Sequence, residues 1–192
     1  MKLSILIPTL HERHAYLDRL QRVLLPQVEL YTGQVEVRYH DAGRAMKIGQ
    51  KRNELLDQAE GDYACFVDDD DQVSANYLSR IMKALESEPD CVTFNGWMTT
   101  DGDNSRDFVI RLGSKYEERE KVYYRFPNHL CPMKRERVKD VRFPNVHMAE
   151  DYAYAKEIND RRLLKSSIHI TDKLYHYDYV TYKVPYGWGG HR

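Results

Sequence analysis

The sequence has few cysteines and no closely spaced pair of them. Cys65, Cys91 and Cys131 are the only three in 192 residues, and no C-x-x-C occurs. This pattern argues against a zinc knuckle or a dithiol redox pair. A chain of this length can bury a core that is stable without disulfides or a structural metal. We therefore expect three buried free thiols in a reducing compartment.

Long hydrophobic runs and an excess of one charge are also lacking. No apolar segment approaches the roughly 20 residues that span a bilayer, so we expect no integral membrane segment. The start, "MKLSILIPTL", is too short and has its proline too early for a signal peptide, and we interpret it as a first strand of a cytoplasmic protein. A formal net charge of −1 provides no general attraction to nucleic acid or to an anionic membrane, although a local contact with either stays open.

The glycine-rich loops that bind phosphates are absent. Neither G-x-x-x-x-G-K-[ST] nor G-x-G-x-x-G occurs, and the two glycines of "GRAMKIG" are widely spaced. A P-loop NTPase or a dinucleotide-binding enzyme is therefore not expected. If this chain binds a diphosphate, a metal ion is the expected binding partner for it.

The first hundred residues alternate between predicted strands and helices. Strands are predicted at "KLSILIP", "VEVRYHD", "DYACFV" and "DCVTFNGW", with helices between them. Pro26 is expected to kink or end the first helix, Gly61 to stop the second, and Ser74 to cap the third. This order predicts an α/β fold with a doubly wound, mostly parallel sheet.

The second half is more polar, more aromatic and less regular. "GWMTTDGDNSRD" is predicted to be turn-rich, "FVIRLG", "SSIHI" and "KLYHYDYV" to be strands, and "EDYAYAKEIND" to be a helix. No repeat or low-complexity tract separates the halves. We therefore expect one continuous domain over 1–192, with a nucleotide-binding half at 1–100.

Four consecutive aspartates follow the third predicted strand, in "DYACFVDDDDQVSANYL". Ligands of open parallel sheets bind at the carboxyl ends of the strands, where Thr9 and Asp41 also lie. Side chains alternate at a strand end, so Asp68 and Asp70 can point the same way and offer hard oxygen ligands to Mg²⁺ or Mn²⁺. The alternative is a solvated acidic turn at the start of the next helix. The spacing does not fit an EF-hand.

Several blocks together resemble the family 2 glycosyltransferases of the GT-A fold. They are "SILIPTLHER", "HDAG", "IGQKRNELLDQAEGDYACFVDDDDQVSANYL" and "EDYAYAKEI", and the match runs from residue 2 to about residue 160. The resemblance implies an inverting hexosyl- or pentosyltransferase that uses a nucleotide-diphospho-sugar, with UDP as the expected nucleotide. Residues 1–100 would bind the nucleotide-sugar in a Rossmann-like half. Residues 101–192 would form a smaller mixed acceptor-side half and a C-terminal tail.

The resemblance also implies roles for residues that bind the donor. Asp41 would accept a hydrogen bond from the base, and Asp70 would be the principal ligand of Mn²⁺ or Mg²⁺. Because all four positions are aspartate, Asp69 and Asp71 are alternatives for that ligand. The other residues implied in nucleotide or metal binding are Pro8, Thr9, Glu12, Arg52, Asn53, Asp68, Asp69 and, as a late metal ligand, His176.

For the chemical step, Asp151 matches the catalytic base of inverting members. A hydroxyl is a poor nucleophile until a carboxylate removes its proton. Glu150 would lie beside the acceptor or the donor sugar, although adjacent carboxylates also occur at helix starts for their charge alone. His129 is interpreted either as a pocket residue or as an ordinary buried histidine.

The acceptor is not identified by any motif. "KVYYRFPNHL" and "YHYDYVTYKVPYGWGGHR" interleave aromatic and basic residues, which suits stacking on sugars or on bases as well as an ordinary core and rim. The acceptor therefore stays open between a glycan, a lipid-linked sugar, a protein and a modified nucleic-acid base, and the lack of a membrane segment counts modestly against the lipid. The tail "YGWGGHR" is expected to be either a lid or a disordered end.

Two other functions fit the same sequence less well. A nucleotidyltransferase that makes the activated sugar would need a glycine-rich first loop, which "PTLHER" lacks. A non-catalytic nucleotide-sugar-binding homologue would be expected to lack Asp70 or Asp151, and this chain has both.

Overall fold

The structure, a computed structural model, describes residues 1–146 and 148–180. Within them, the strands are β1 (Leu3–Thr9), β2 (Val35–Asp41), β3 (Tyr63–Phe66), β4 (Gln72–Val73), β5 (Cys91–Thr100), β6 (Asp103–Ile110), β7 (Glu117–Arg119), β8 (Val122–Arg125), β9 (Met133–Lys134) and β10 (Ser167–Tyr179). The helices are α1 (His14–Glu29), α2 (Ile48–Gln58), α3 (Tyr77–Leu85), α4 (Arg135–Val138) and α5 (Glu150–Asp160). The tail "YGWGGHR", predicted to be a lid or a disordered end, lies outside the described residues.

One mixed sheet joins both halves of the described chain. Its main path is β2-β1-β3-β9-β5-β6-β8-β7, and β10 pairs with both β5 and β4. The pairs β1–β2, β1–β3, β5–β10 and β6–β8 are parallel. The predicted α/β class with a mostly parallel sheet is confirmed, and the short antiparallel β9 between β3 and β5 is an addition to it.

Strand β1 has a nearly unbroken apolar sequence because it lies in the core. All seven of its residues are buried, because strands pair along both of its edges and helices cover the sheet. Helix α2 contacts β1, β2 and α5, whereas α1 and α3 contact each other. The three cysteines are buried and free, as expected.

Several local predictions were wrong. Of the two alternatives for Pro26, the end of the helix is wrong, because α1 continues to Glu29, and α2 ends at Gln58 instead of running to Gly61. The N-cap of α3 is Asn76 instead of Ser74, because residues 72–73 first pair with β10 as β4. The turn-rich segment is mostly a β5–β6 hairpin.

The last two predicted strands form a single strand in the structure. "SSIHI" and "KLYHYDYV" belong to the 13-residue β10, whose register with β5 shifts between Ile170 and Tyr175. Such a shift is typical of a β-bulge. It interrupts the alternation of inward and outward side chains along β10, and the sequence was therefore interpreted as two strands.

Glu36 on β2 accepts several hydrogen bonds, from which we predict how the stability of the fold depends on pH. Its carboxylate accepts hydrogen bonds from Ser4 Oγ at 2.5 Å, the Glu60 backbone N–H at 2.7 Å and Arg38 Nε at 2.9 Å. Burial alone would raise the pKa of Glu36, but these donors and the Arg38 charge together lower it to about 2. The ionised carboxylate therefore stabilises the folded chain above pH 4.5, and this contribution is lost as the pH falls from 4.5 to about 2.

We expect Glu36→Gln to lower the free energy of unfolding by about 1–3 kcal/mol at neutral pH, since three donors lose a charged partner. The difference from wild type should shrink toward pH 2. Urea unfolding across this pH range measures it. Glu60→Gln removes an exposed carboxylate from the same group and should have a smaller effect. Equal losses in the two variants would contradict the assignment.

Candidate active site

The acidic loop after β3 alternates between exposed and buried side chains. Asp68 and Asp70 expose 24% and 37% of their side chains. Asp69 and Asp71 are each only 1% exposed. The loop lies at the carboxyl edge of β1, β2 and β3, which run parallel. Asp68 and Asp70 are therefore the two aspartates of this loop that remain accessible to a ligand.

The two buried aspartates are held by protein partners. Asp69 accepts a hydrogen bond from Thr9 Oγ1 at 2.7 Å. Asp71 accepts one from the Tyr175 hydroxyl at 2.7 Å and one from the Asp178 backbone N–H at 3.0 Å. Tyr175 also accepts a hydrogen bond from the Asp68 backbone N–H. These hydrogen bonds fix the loop through the buried carboxylates of Asp69 and Asp71, whereas the partly exposed carboxylate of Asp70 pairs with Arg13.

Arg13 is the main cation near the exposed edge of the loop. Its guanidinium pairs with Asp69 at 3.0 Å and also contacts Asp70. Burial raises the pKa of Asp69 to about 6 and also raises that of Asp70, with Arg13 opposing both shifts. Burial thus disfavours the ionised forms of these two carboxyls, and a cation bound beside them would oppose this effect.

Arg52 on α2 is a buried cation between the loop and α5. Its Nη2 donates to Asp68 at 2.9 Å, and its Nε lies 3.3 Å from Glu150 Oε1. The guanidinium lies over the rings of Phe66 and Phe143. Within the described residues Nε and Nη1 have no hydrogen-bond partner. A buried guanidinium with free donors is suited to a ligand anion.

His129 lies between the acidic loop and the start of α5. The Phe66 backbone N–H donates to the His129 carbonyl at 2.8 Å, which holds this segment beside β3. Its Nε2 is 3.5 Å from Asp68 Oδ2, and its Nδ1 is 4.0 Å from Asp151 Oδ2. Both ring nitrogens are buried without a hydrogen-bond partner in the described part of the chain. One buried ring therefore separates Asp68 from Asp151.

Glu150 and Asp151 begin α5 and differ in burial. Glu150 is buried, and burial raises the pKa of its carboxyl against the opposing charge of Arg52. The Asp151 side chain is 40% exposed. The preceding Ala149 has φ 60° and ψ 17°, a left-handed conformation that is costly for a residue with a Cβ. Backbone strain of this kind is found at functional sites more often than elsewhere.

A cleft of about 400 Å³ opens beside the carboxyl end of β1. Pro8, Thr9, Arg13 and Lys51 line it together with Glu150. The Lys51 ammonium donates to the carbonyls of Thr9, at 3.2 Å, and Ala42, and burial lowers its pKa. The cleft therefore connects the strand ends to the first residue of α5.

Two residues predicted to bind the nucleotide lie at the outer part of this edge. Glu12 accepts a hydrogen bond from Arg44 Nε at 2.8 Å. Asp41, at the end of β2, is 3.7 Å from His11 Nδ1 and is partly exposed. Neither carboxylate is buried, and neither is among the residues that line the cleft.

Asn53 has a structural partner. Its amide nitrogen donates to the Phe143 carbonyl at 2.9 Å, and its Oδ1 accepts from the Phe143 backbone N–H at 3.0 Å. The structure thus directs Asn53 toward the segment that precedes α5 and away from the cleft. The prediction that Asn53 contacts the nucleotide has no geometric support here.

Gly49 on α2 leaves room for the segment that precedes α5 to pack closely against α2. A Cβ at this position would collide with the Pro144 carbonyl. We expect Gly49→Ala to lower the free energy of unfolding by about 1–3 kcal/mol, because the chain leading to Glu150 must shift. Thermal unfolding measures the effect. Gly43→Ala, where a Cβ meets nothing within 4 Å, is the control. An unchanged unfolding temperature for Gly49→Ala would contradict this role.

His176 does not join the acidic loop as a ligand. Tyr175 faces Asp71, and the alternation along β10 turns the next side chain the other way. His176 Nε2 is 2.7 Å from Thr99 Oγ1, and its ring stacks on Trp97. No group of three or more His, Cys, Asp or Glu side chains in the described chain is arranged to hold a metal.

The remaining ligands still fit a metal of the expected kind. Mg²⁺ and similar ions are commonly bound by one or two carboxylates together with substrate phosphates. Asp68 and Asp70 are the two accessible carboxylates, and the guanidinium of Arg13 already lies against Asp70. The donor set therefore fits a divalent cation that shares its coordination with a bound diphosphate.

Three residues of the site were not predicted from the sequence. Lys51 precedes Arg52 in "GQKRN", and Tyr175 lies in "KLYHYDY", but neither position has a local pattern that separates it from an ordinary core residue. Arg13 was noted only as a polar residue after β1. Their roles depend on contacts between residues far apart in the sequence.

Comparisons with known proteins agree with this geometry. The profile described as Glycosyl transferase family 2 matches residues 16–149, more than half of the chain. A search of curated proteins finds no match. Among the described residues, no helix is both long and apolar enough to cross a membrane.

Solved structures of TarS from S. aureus have the same fold. The complex with UDP-GlcNAc is 18% identical with a TM-score of 0.63, and it covers 93% of this chain and 58% of that one. The complex with UDP is 18% identical with a TM-score of 0.65, covering 93% and 60%. A longer TarS structure is 17% identical with a TM-score of 0.63, covering 93% and 37%. This chain thus spans less than two thirds of those chains.

The profile match and the shared GT-A fold identify the relationship at the level of the family. The chain belongs to glycosyl transferase family 2.

Proposed function

We propose that this chain transfers a sugar from a UDP-sugar to an acceptor hydroxyl, with inversion at the anomeric carbon. The observation that carries the proposal is the arrangement Asp68–His129–Asp151. The buried His129 ring lies between the acidic loop and the candidate base. Its Nε2 is 3.5 Å from the Asp68 carboxylate, and its Nδ1 is 4.0 Å from the Asp151 carboxylate. A donor held by the loop would therefore present its anomeric carbon near Asp151. Two TarS structures named as complexes with UDP-GlcNAc and UDP support UDP as the nucleotide.

The donor would occupy the cleft beside β1. Pro8 and Thr9 line it, and Asp41 would accept a hydrogen bond from the base at its outer end. Lys51, Arg13 and the free donors of Arg52 supply positive charge for the diphosphate. Asn53 would act indirectly, by holding the segment before α5.

Asp68 and Asp70 would hold Mn²⁺ or Mg²⁺ together with the donor diphosphate. A bound divalent cation would stabilise the negative charge that develops on the leaving diphosphate. Asp69 and Asp71 keep the loop in place through Thr9 and Tyr175. His176 is not part of this proposed ligand set.

Asp151 would act as general base. Its carboxylate takes the proton of the acceptor hydroxyl while that oxygen forms a bond to the anomeric carbon, and the bond from this carbon to the UDP oxygen breaks. Attack opposite the leaving group inverts the anomeric centre. Glu150, paired with Arg52 and lining the cleft, would lie beside the donor sugar. We also propose that residues 1–100 bind the donor and that 101–192 form the acceptor side of one domain in the cytoplasm.

Release of UDP tests the proposal. Purified protein incubated with Mn²⁺ and a panel of UDP-sugars should release UDP, slowly without an acceptor and faster with one. A parallel sample with UTP and a sugar 1-phosphate tests the nucleotidyltransferase alternative through pyrophosphate release. Pyrophosphate without UDP would overturn the proposed reaction. UDP binding without turnover of any donor would favour a non-catalytic homologue.

A further inference from the structure

A cluster of aromatic side chains lies beside the start of α5. Tyr116 and Phe126 lie 4.4 Å apart between ring centroids, and Tyr152 lies 5.1 Å from Tyr116. Tyr152 directly follows Asp151 on α5 and is 40% exposed. We call Tyr116, Phe126 and Tyr152 the aromatic patch. Aromatic faces of this kind stack on the apolar faces of sugar rings.

A single guanidinium borders the aromatic patch. The Arg125 Cζ lies 5.8 Å from the Tyr116 ring centroid, 5.7 Å from that of Phe108 and 6.0 Å from that of Tyr123. Within the described residues no carboxylate forms an ion pair with Arg125. Arg125 is therefore a half-buried cation whose neighbours are rings.

Arg125 differs in this respect from cations on the neighbouring strands β6, β7 and β10. Arg106 pairs with Glu118, Arg119 with Glu117, and Lys173 with Asp107. A polyanion such as nucleic acid would need a continuous stripe of free cations along its backbone. One unpaired guanidinium beside a stacking surface instead fits a small ligand with one anionic group.

The electrostatic surroundings connect Arg125 with the reacting groups. Burial raises the pKa of Tyr116, with Arg125 lowering it and Asp151 raising it, so Tyr116 lies within reach of both charges. Tyr177 is influenced in the same way by the aspartates of the loop and by Arg125. The pair Tyr116–Tyr152 thus connects Arg125, which lies 5.8 Å from the Tyr116 ring centroid, with Asp151, which directly precedes Tyr152 on α5.

From this order we infer that the acceptor is a phosphate-bearing carbohydrate, whose ring stacks on the aromatic patch and whose phosphate is bound by Arg125. The inference rests on the proposed function, because it takes Asp151 as the base that faces the acceptor hydroxyl. Tyr152 and Tyr116 hold the ring between the hydroxyl at Asp151 and the anionic group at Arg125. The guanidinium is suited to this group because it offers two parallel donors to phosphate oxygens.

The test compares glucose with glucose 6-phosphate on protein saturated with UDP and Mn²⁺, so that the donor site is filled. Saturation-transfer NMR titrations measure the Kd of each sugar. We expect glucose 6-phosphate to bind about ten-fold more tightly than glucose in the wild type, the size of one charge-assisted contact. Arg125→Gln should remove this preference, and Arg125→Lys should keep part of it. Tyr152→Ala should weaken both sugars by a similar factor.

Arg119→Gln is the matched control, because Arg119 also lies over a tyrosine ring but is ion-paired with Glu117. It should keep the wild-type preference. Equal affinity for the two sugars in the wild type, no binding of either, or a preference that survives Arg125→Gln would each overturn the inference. Arg125-dependent binding of a single-stranded oligonucleotide without binding of the sugar phosphate would overturn it in favour of nucleic acid. UDP affinity, measured first in the same samples, separates failure of the acceptor site from failure of the proposed function.

Discussion

Asp70→Asn is expected to lower the rate of sugar transfer by about 10³-fold, since a carboxylate that holds the metal contributes several kcal/mol to stabilising the leaving group. Asp70 is the more exposed member of the accessible pair, and its neighbours Asp69 and Asp71 are occupied by Thr9 and Tyr175. Removing it leaves Asp68 as the only accessible carboxylate of the loop. Isothermal titration of Mn²⁺ in the presence of UDP should show a matching loss of metal affinity.

The control for this variant is Asp18→Asn, which removes an exposed carboxylate from α1. It should leave both the rate and the metal affinity unchanged. Fold integrity is checked by thermal unfolding, because Asp70 also contacts Arg13. A folded Asp70→Asn protein that binds Mn²⁺ and turns over like the wild type would show that the metal lies elsewhere.

Asp151→Asn is expected to reduce transfer by about 10²–10⁴-fold, because an amide cannot accept the proton of the acceptor hydroxyl. The isosteric side chain keeps the shape of the site, so UDP affinity in the presence of Mn²⁺ should stay close to that of the wild type. Within residues 1–146 and 148–180, the Asp151 carboxylate forms no hydrogen bond with the nucleotide-side residues, and it lies 4.0 Å from His129 Nδ1. Single-turnover transfer and UDP binding, measured on the same sample, separate the two effects.

Asp160→Asn is the matched control on the same helix, since Asp160 ends α5 and pairs with the exposed Lys156. It should retain the wild-type rate. If Asp151→Asn transferred sugar at the wild-type rate, another group would have to be the base. If it lost UDP affinity as well as turnover, Asp151 would belong to the donor site.

The main architecture could be predicted from the sequence because periodicity reflects burial. The apolar β1 lies between two parallel partners, and the predicted helices over "AYLDRLQRVLLPQVEL" and "EDYAYAKEIND" form at α1 and α5. The insertion of β9 could not be predicted, because two residues carry no periodic signal. The same holds for β4, whose pairing with β10 delays the start of α3.

The site was predictable where the chemistry is local and not where it depends on distant contacts. The alternation within Asp68–Asp71 follows from strand geometry and appears in the burial of the four side chains. Asn53 and His176 were assigned by resemblance to aligned positions, but the structure directs their side chains to Phe143 and to Thr99. The position of His129 between Asp68 and Asp151 follows from a backbone hydrogen bond to β3 that no local pattern indicates.

The most direct test of the account is a crystal structure with Mn²⁺ and UDP, recorded at the manganese absorption edge. We predict one anomalous peak that contacts Asp70, Asp68 and the diphosphate. UDP should lie in the cleft beside Pro8 and Thr9, and Asp151 should face the open side of the diphosphate. A peak away from residues 68–71, or UDP bound where Asp151 cannot face it, would contradict the proposed enzyme.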